Sequence, residues 1–420
     1  MSADFRQRNA LVFVLLTVAI NAVGFGILVP VLPDLIKELT GLENNAAAIH
    51  LGWMTFTFAL MQFICMPIAG GLSDAFGRRP VMLLSVGALA LDYLLMAVAP
   101  TIAILYLGRA ISGAFGANFA TANAYISDVS PPEKRAQNFG LVGAAFGSGF
   151  ILGPVIGGWI AEFGPRAPFY AAAAICAANF VYGWIVLPET LAPEKRRAFD
   201  IRRSNAVGSV KALGRITGVR GLILVLFGLA LAHTVYPSTY TLSTMEALGW
   251  DAKDVGNSLG AFGLAQLFVQ GYLIRLIVPR IGMYWAGVIG MAGAVVAYAT
   301  LGVADAGWIL YAAGPFAALA GLYGPALTNM MSVRVSESEQ GELQGAIGAA
   351  QGLAMMIGPL VLTWIFYLFA DRETAPIYLP GMPFLAAAVL ALLSLAVFFA
   401  VTTADDRRLG DTPVAADPAE

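Results

Sequence analysis

Apolar runs about as long as a bilayer is thick alternate along this chain with short polar breaks. A hydrocarbon core takes roughly 20 helical residues to cross. Twelve runs meet that requirement: 9–32, 48–72, 80–98, 101–127, 137–161, 166–187, 219–245, 255–278, 283–303, 307–332, 343–369 and 377–401. The one long polar interruption, 188–215, falls between the sixth and seventh runs. The pattern predicts an all-α membrane protein of twelve transmembrane helices in two six-helix bundles, 1–187 and 219–402, joined by a linker at 188–218. The linker is expected to carry a short basic amphipathic helix on the anionic leaflet. The Pro/Ala-rich tail, 403–420, is expected to be disordered.

Composition agrees with a lipid solvent. The chain is 59% hydrophobic and 12% charged, with a mean hydropathy of +0.76, whereas soluble domains carry about 25% charge. Arg6 and Arg8 precede a first run too long for a cleavable signal and lacking its small-residue cleavage pattern. Nineteen of the 24 lysines and arginines fall on the side of the N-terminus. Four (Lys37, Arg166, Lys253, Arg372) fall on the other, and Arg109 lies inside a span. Cationic loops stay cytoplasmic, so both termini are expected there, in a bacterial inner membrane.

The two halves repeat. "GLVGAAFGSGFILGP" (140–154) matches "GAIGAAQGLAMMIGP" (345–359) at a constant offset of 205, which also maps Gly77 onto Gly282. Duplicated six-helix bundles imply pseudo-symmetric halves rocking about a central site. Gly149, Gly153, Pro154, Gly157 and Gly158 form a GxxxGPxxGG run, with Gly358 and Pro359 as counterparts of Gly153 and Pro154. Small residues let helices approach, and Gly-Pro loosens the backbone, so these positions are expected to bend or shear.

Several classes are disfavoured. The chain shows no P-loop, nucleophile elbow or His/Cys/Asp cluster, so neither an enzyme nor a cofactor is expected. His50 and His233 are far apart, and Cys65 and Cys176 sit in apolar runs, which argues against a metal site. A net charge of −2 gives no footing for nucleic acid. Ionisable groups inside spans are costly and mark function. Asp92, midway along the third span, and Arg109, early in the fourth, form either a proton site or a structural ion pair.

"GGLSDAFGRRPVMLL" (70–84) resembles the G-x-L-x-D-x-x-G-R-R signature of the major facilitator superfamily. The Gly-Pro run and "YLGRAISGAFGA" (106–117) resemble the fifth- and fourth-helix motifs of its drug/proton antiporter branch. "GFGILVPVLPDL" (24–35), "APFYAAA" and "EQGELQG" (339–345) are similar to the tetracycline-efflux pumps. The resemblance covers nearly the whole chain and implies the major facilitator fold. It also implies alternating access, commonly as a monomer, with a small organic substrate, protons and the lipid bilayer as partners. Asp74, Arg78 and Asp128 are expected to form a cytoplasmic latch holding the halves in the outward-open state. The second half has Pro279, Met283 and Tyr284 at the positions of Asp74, Arg78 and Arg79, so the latch is one-sided.

By the same resemblance, helices 1, 2, 4, 7, 8, 10 and 11 line a cavity. Their uncharged polar residues are Asn21, Gln62, Asn123, His233, Gln266, Gln270, Asn329, Gln344 and Gln351, with Phe25, Phe58 and Tyr236 available for stacking or for ordinary packing. Asp92 and Arg109 occupy positions that matter for transport in the tetracycline pumps. Asn21, Met291 and Gln266 stand where those pumps carry two acids and a histidine, which leaves Asp92 as the acid deep in the spans and Glu246 as the next candidate. The leading expectation is a proton-coupled exporter of an amphipathic, tetracycline-like compound. The alternative is a facilitator or exporter of an endogenous metabolite or lipid-like molecule with weak or no proton coupling.

Overall fold

The computed structural model describes residues 3–116, 118–200 and 217–402. Among these residues every regular element is helical. In the first half they are α1 (Ala3–Thr40), α2 (Asn44–Phe76), α3 (Arg78–Val98), α4 (Ile102–Phe115), α5 (Asn118–Val129), α6 (Pro132–Ala161) and α7 (Ala167–Val186). In the second they are α8 (Arg220–His233), α9 (Val235–Leu248), α10 (Ala252–Phe268), α11 (Ile274–Gly302), α12 (Gly307–Leu319), α13 (Tyr323–Ser332), α14 (Gln340–Phe369) and α15 (Met382–Val401). The tail and linker residues 201–216 lie outside the described residues, so the expected basic helix falls mostly there. The described part of the linker is an extended strap with one short turn, Pro193–Lys195.

Ten helical stretches among the described residues are long and apolar enough to cross a bilayer. The difference from twelve has two local origins. The fourth expected span is divided between α4 and α5 after Gly116, and the eighth and ninth run together from Ala252 to Gly302. That stretch contains a π-helical turn at Val269–Leu273 and a non-helical residue at Gly282.

The chain divides into two compact units: Met1–Ala206 with Trp250–Gly260, and Val207–Gly249 with Ala261–Glu420. The duplication is visible in backbone detail. Gly77 has φ 107° and ψ 161°, and Gly282 has φ 75° and ψ 168°; 282 − 77 is the same offset of 205. Both lie in a region closed to side chains with a Cβ, which explains why each turn keeps glycine. Arg135 Nη2 donates to the Ser127 carbonyl at 3.3 Å, and Gln340 Nε2 donates to the Ser332 carbonyl at 2.8 Å. Both donors and both acceptors are again 205 apart.

The first unit is built on a close crossing of α1 and α6. A Cβ at Gly149 would meet the Ala19 carbonyl and Ala22. At Gly153 it would meet Val23 and Gly26, and at Gly157 the backbone of Ile27. Lipid offers no hydrophobic force between helices, so this backbone approach supplies the dispersion contact. On another face of α6, Gly158 meets Ala252 and Lys253 at the start of α10. α6 continues as one helix through Pro154, as α14 does through Pro359. Phe13, Val18, Met82, Leu83, Tyr125 and Ile126 fill the core beside this crossing.

Candidate functional site

Three groups of side chains gather the expected residues. The first sits where α2, α3 and α5 end or begin. Arg78 Nη1 meets Asp74 Oδ1 at 2.5 Å and Ser73 Oγ at 3.0 Å, while its Nε meets Asp128 Oδ2 at 3.2 Å. Spacing explains Asp74 and Arg78, which are four residues apart on either side of the Gly77 turn. Asp128 arrives from the last turn of α5. Sequence reasoning missed Glu189, whose carboxylate accepts the Arg78 and Arg79 backbone N–H groups at 2.9 and 3.3 Å.

The second group is buried in the first unit. Asp92 on α3 is 0% exposed and Arg109 on α4 is 4% exposed. Arg109 Nη2 donates to Asp92 Oδ2 at 2.5 Å and meets Met96 Sδ at 3.0 Å. Asp92 Oδ1 and Arg109 Nε are buried without a hydrogen-bond partner among the described residues. Gly108 makes room for the acid, since a Cβ there would fall on Asp92 Oδ1. The guanidinium lies 5.9 Å from the Phe58 ring centre. Phe58 is 6.2 Å from Phe25, Phe25 is 6.1 Å from Phe150, and Phe150 is 6.3 Å from Phe146. An aromatic strip therefore leads from the ion pair to α6. Phe146 and Phe150 were not expected, although their spacing of four on one helix is a legible signal. Gln62 approaches the same region, its Nε2 facing Gly116. Asn21 and Asn123 are half-buried in this unit without a resolved tie to the pair.

The third group belongs to the second unit and centres on Tyr236. Its ring stacks on Phe262 at 5.3 Å and touches Tyr298 at 5.8 Å, Phe384 at 5.9 Å, Tyr240 at 6.0 Å and His233 at 5.4 Å. His233 is exposed at the end of α8. The Tyr236 hydroxyl and Gln266 Oε1 are buried without partners among the described residues. Gln266 and Gln270 both face Gly321, so that pair does share a face. Gln270, Asn329, Gln344 and Gln351 are exposed. Met291 is fully buried. Glu246 is engaged at 2.8 Å by the Tyr378 hydroxyl from the loop before α15. In that loop the Thr374 hydroxyl, followed by the Glu373 amide, holds the Asp371 carboxyl below the usual carboxylate range.

A polytopic helical protein with internally repeated halves, a charged turn after its second span and a buried ion pair beside an aromatic strip has the build of a transporter. The sequence matches the Major Facilitator Superfamily over residues 14–359 and 222–418, and the chain belongs to that family. It is 36% identical to the class C tetracycline resistance protein of Escherichia coli, over 93% of this chain and 96% of that one. It is 32% identical to the class B protein of Escherichia coli, over 90% and 92% respectively. A solved D-xylose–proton symporter shares the fold with a TM-score of 0.75 at 17% identity, covering 96% of this chain and 98% of that one. A bacterial homologue of the human lysosomal transporter Spinster gives a TM-score of 0.76 at 16% identity, covering 98% of each chain. The protein is a multi-pass membrane protein and a secondary transporter, not an enzyme.

Proposed function

We propose that the protein exports an amphipathic, tetracycline-like compound across the bacterial inner membrane in exchange for protons, working as a monomer with both termini in the cytoplasm. The observation that carries this reading is the Asp92–Arg109 pair, buried and yet incompletely satisfied. Removing charge from lipid-depth positions would be cheaper than keeping it, so a retained pair with a free carboxylate oxygen fits a group that exchanges a proton. Protonating Asp92 would weaken its hold on Arg109. The freed guanidinium lies against Phe58, the first ring of the aromatic strip, so proton occupancy would be felt where a flat organic molecule could stack. Tyr236, His233, Gln266, Gln270, Asn329 and Gln351 supply polar groups of the second unit to the substrate. Asp74, Arg78 and Asp128 act as a cytoplasmic latch that forms and breaks during alternating access. The Gly149–Gly158 run and Gly358–Pro359 let helices bend or shear.

Uptake of tetracycline into everted membrane vesicles, wild type beside Asp92→Asn, with and without an imposed pH gradient, tests the reading. Gradient-dependent uptake that disappears in the variant is expected. Uptake by the wild type that ignores the gradient would overturn proton coupling, and no uptake would overturn the cargo.

A further inference from the structure

Residues 187–197 form a strap that reaches each charged member of the Asp74–Arg78–Asp128 cluster. Glu189 Oε1 accepts the Arg78 amide at 2.9 Å and the Thr190 and Leu191 amides at 3.0 Å each, and Oε2 accepts the Arg79 amide at 3.3 Å. The Thr190 hydroxyl reaches Asp128 Oδ2 at 3.4 Å, and the Arg197 amide donates to the Asp74 carbonyl at 3.1 Å. The Tyr125 hydroxyl fixes the strap's start by donating to the Pro188 carbonyl at 3.1 Å.

The first turn of α3 needs such a group. Its N-cap residue is Gly77, which has no side chain to accept the orphan amides. A carboxylate placed there from elsewhere in the chain satisfies two of them and complements the positive end of the helix. The glycine is matched to that arrangement, because a Cβ on Gly77 would collide with the Glu189 carboxylate. Arg78 is the first residue of this turn, so whatever fixes its amide also fixes the origin of the side chain that bridges Asp74 and Asp128.

We propose that Glu189 is a positioning residue for the latch: it caps α3 from outside the helix and so holds Arg78 between its two acids. The strap is the described start of the linker, so this stretch of the linker is tied to the same charged centre. This proposal rests on the latch reading of the cluster, while its test involves neither substrate nor proton gradient. A failed tetracycline assay therefore leaves it intact, and its own failure leaves the export reading intact.

Hydrogen–deuterium exchange on the full-length protein in lipid nanodiscs is the experiment, with wild type, Glu189→Ala, Glu189→Gln and the same alanine change in an Arg78→Ala background. Losing a capping side chain shifts a local opening equilibrium about fivefold. Glu189→Ala should therefore speed exchange at the start of α3 about fivefold and also speed exchange across 125–130, which Glu189 does not touch. Glu189→Gln, equal in size and keeping one acceptor, should recover part of the protection but not all of it. In the Arg78→Ala background the added effect on 125–130 should fall by more than half, because the route runs through Arg78. Wild-type exchange at α3 in Glu189→Ala, or a fully additive effect in the double variant, would overturn the proposal. If the alanine variant does not yield monodisperse protein, Glu189→Gln alone decides: intermediate exchange supports the role and wild-type exchange overturns it.

Discussion

The α1–α6 crossing makes a sharp stability prediction, because two kinds of glycine share one helix. Gly149 and Gly153 face α1, where a methyl group would meet backbone atoms of Ala19, Val23 and Gly26. Gly143 and Gly147, in the same repeated motif, have open space within 4 Å of where a methyl would sit. Replacing any of them by alanine gains the same helical preference, about 0.5–1 kcal/mol. Subtracting the Gly147→Ala result from the Gly153→Ala result therefore cancels propensity and leaves the clash alone. Backbone cannot rotate away as a side chain can, so the difference should reach the overpacking range of about 1–3 kcal/mol. For a folding unit of this size each kcal/mol moves a thermal midpoint by about 2–4 °C. Gly153→Ala should thus melt about 2–12 °C below Gly147→Ala, followed by tryptophan fluorescence on purified protein in one detergent.

The repeat supplies an internal comparison. At Gly358 the obstructing atoms belong to the Thr234 side chain, which can turn at the cost of its 2.6 Å bond to the Leu231 carbonyl. That loss is about 1 kcal/mol, so Gly358→Ala should fall between the other two variants. Equal midpoints for Gly147→Ala and Gly153→Ala would refute the backbone-contact argument. A Gly358→Ala loss exceeding that of Gly153→Ala would refute its ranking.

Three further outcomes are expected. Arg109→Met strands Asp92 at 0% exposure and should lose about 3–5 kcal/mol, most of which Asp92→Asn/Arg109→Met should restore in the same melting assay; equal losses would show that the two do not form one unit. Gly77→Ala and Gly282→Ala should each cost about 1–3 kcal/mol, with asparagine no better, because both backbones lie where only glycine is at ease; an asparagine variant melting like wild type would contradict this. Lys253→Met breaks an exposed pair with Glu162, whose side chains are 32% and 50% exposed, so its melting midpoint should stay at the wild-type value, and a clear downward shift would reveal burial of that pair in the membrane-embedded protein.

What could be read from the sequence follows from which interactions leave a local trace. Apolar runs of bilayer length mark spans, and a shared register marks duplication, so Gly77 and Gly282 pair by position alone, without their dihedral angles. Arg78 between Asp74 and Asp128 was accessible because two of the three lie four residues apart and the third ends a neighbouring helix. Glu189 left no comparable trace: it acts from 111 residues away through backbone amides, which a sequence does not display. Helix breaks were the weakest reading. The interruptions within expected spans fall at Gly116, Thr234, Val269–Leu273, Gly282 and Ala320–Leu322, none of them at a Gly-Pro pair. Proline inside a membrane helix needs only its freed carbonyl satisfied by neighbours, so its presence does not locate a kink.

The asymmetry between the repeats points to a division of labour. Where the first unit has Arg79 beside a cluster of charges, the second has Tyr284, 1% exposed, with its ring 5.3 Å from Phe398. Asp128 is matched by Val333, and Asp74 by Pro279. One turn thus carries ion pairs and backbone caps, while its twin places a buried aromatic ring against Phe398 on the same glycine geometry. Ion pairs at a wet membrane face exchange readily with water and salt, whereas a buried aromatic contact opens only with local unpacking. Under the proposed latch reading, the charged turn is the one suited to being made and broken. On this argument, moderate salt should speed exchange around Gly77 and leave exchange around Gly282 unchanged. Equal salt sensitivity of the two turns would remove the basis for assigning the moving latch to one half.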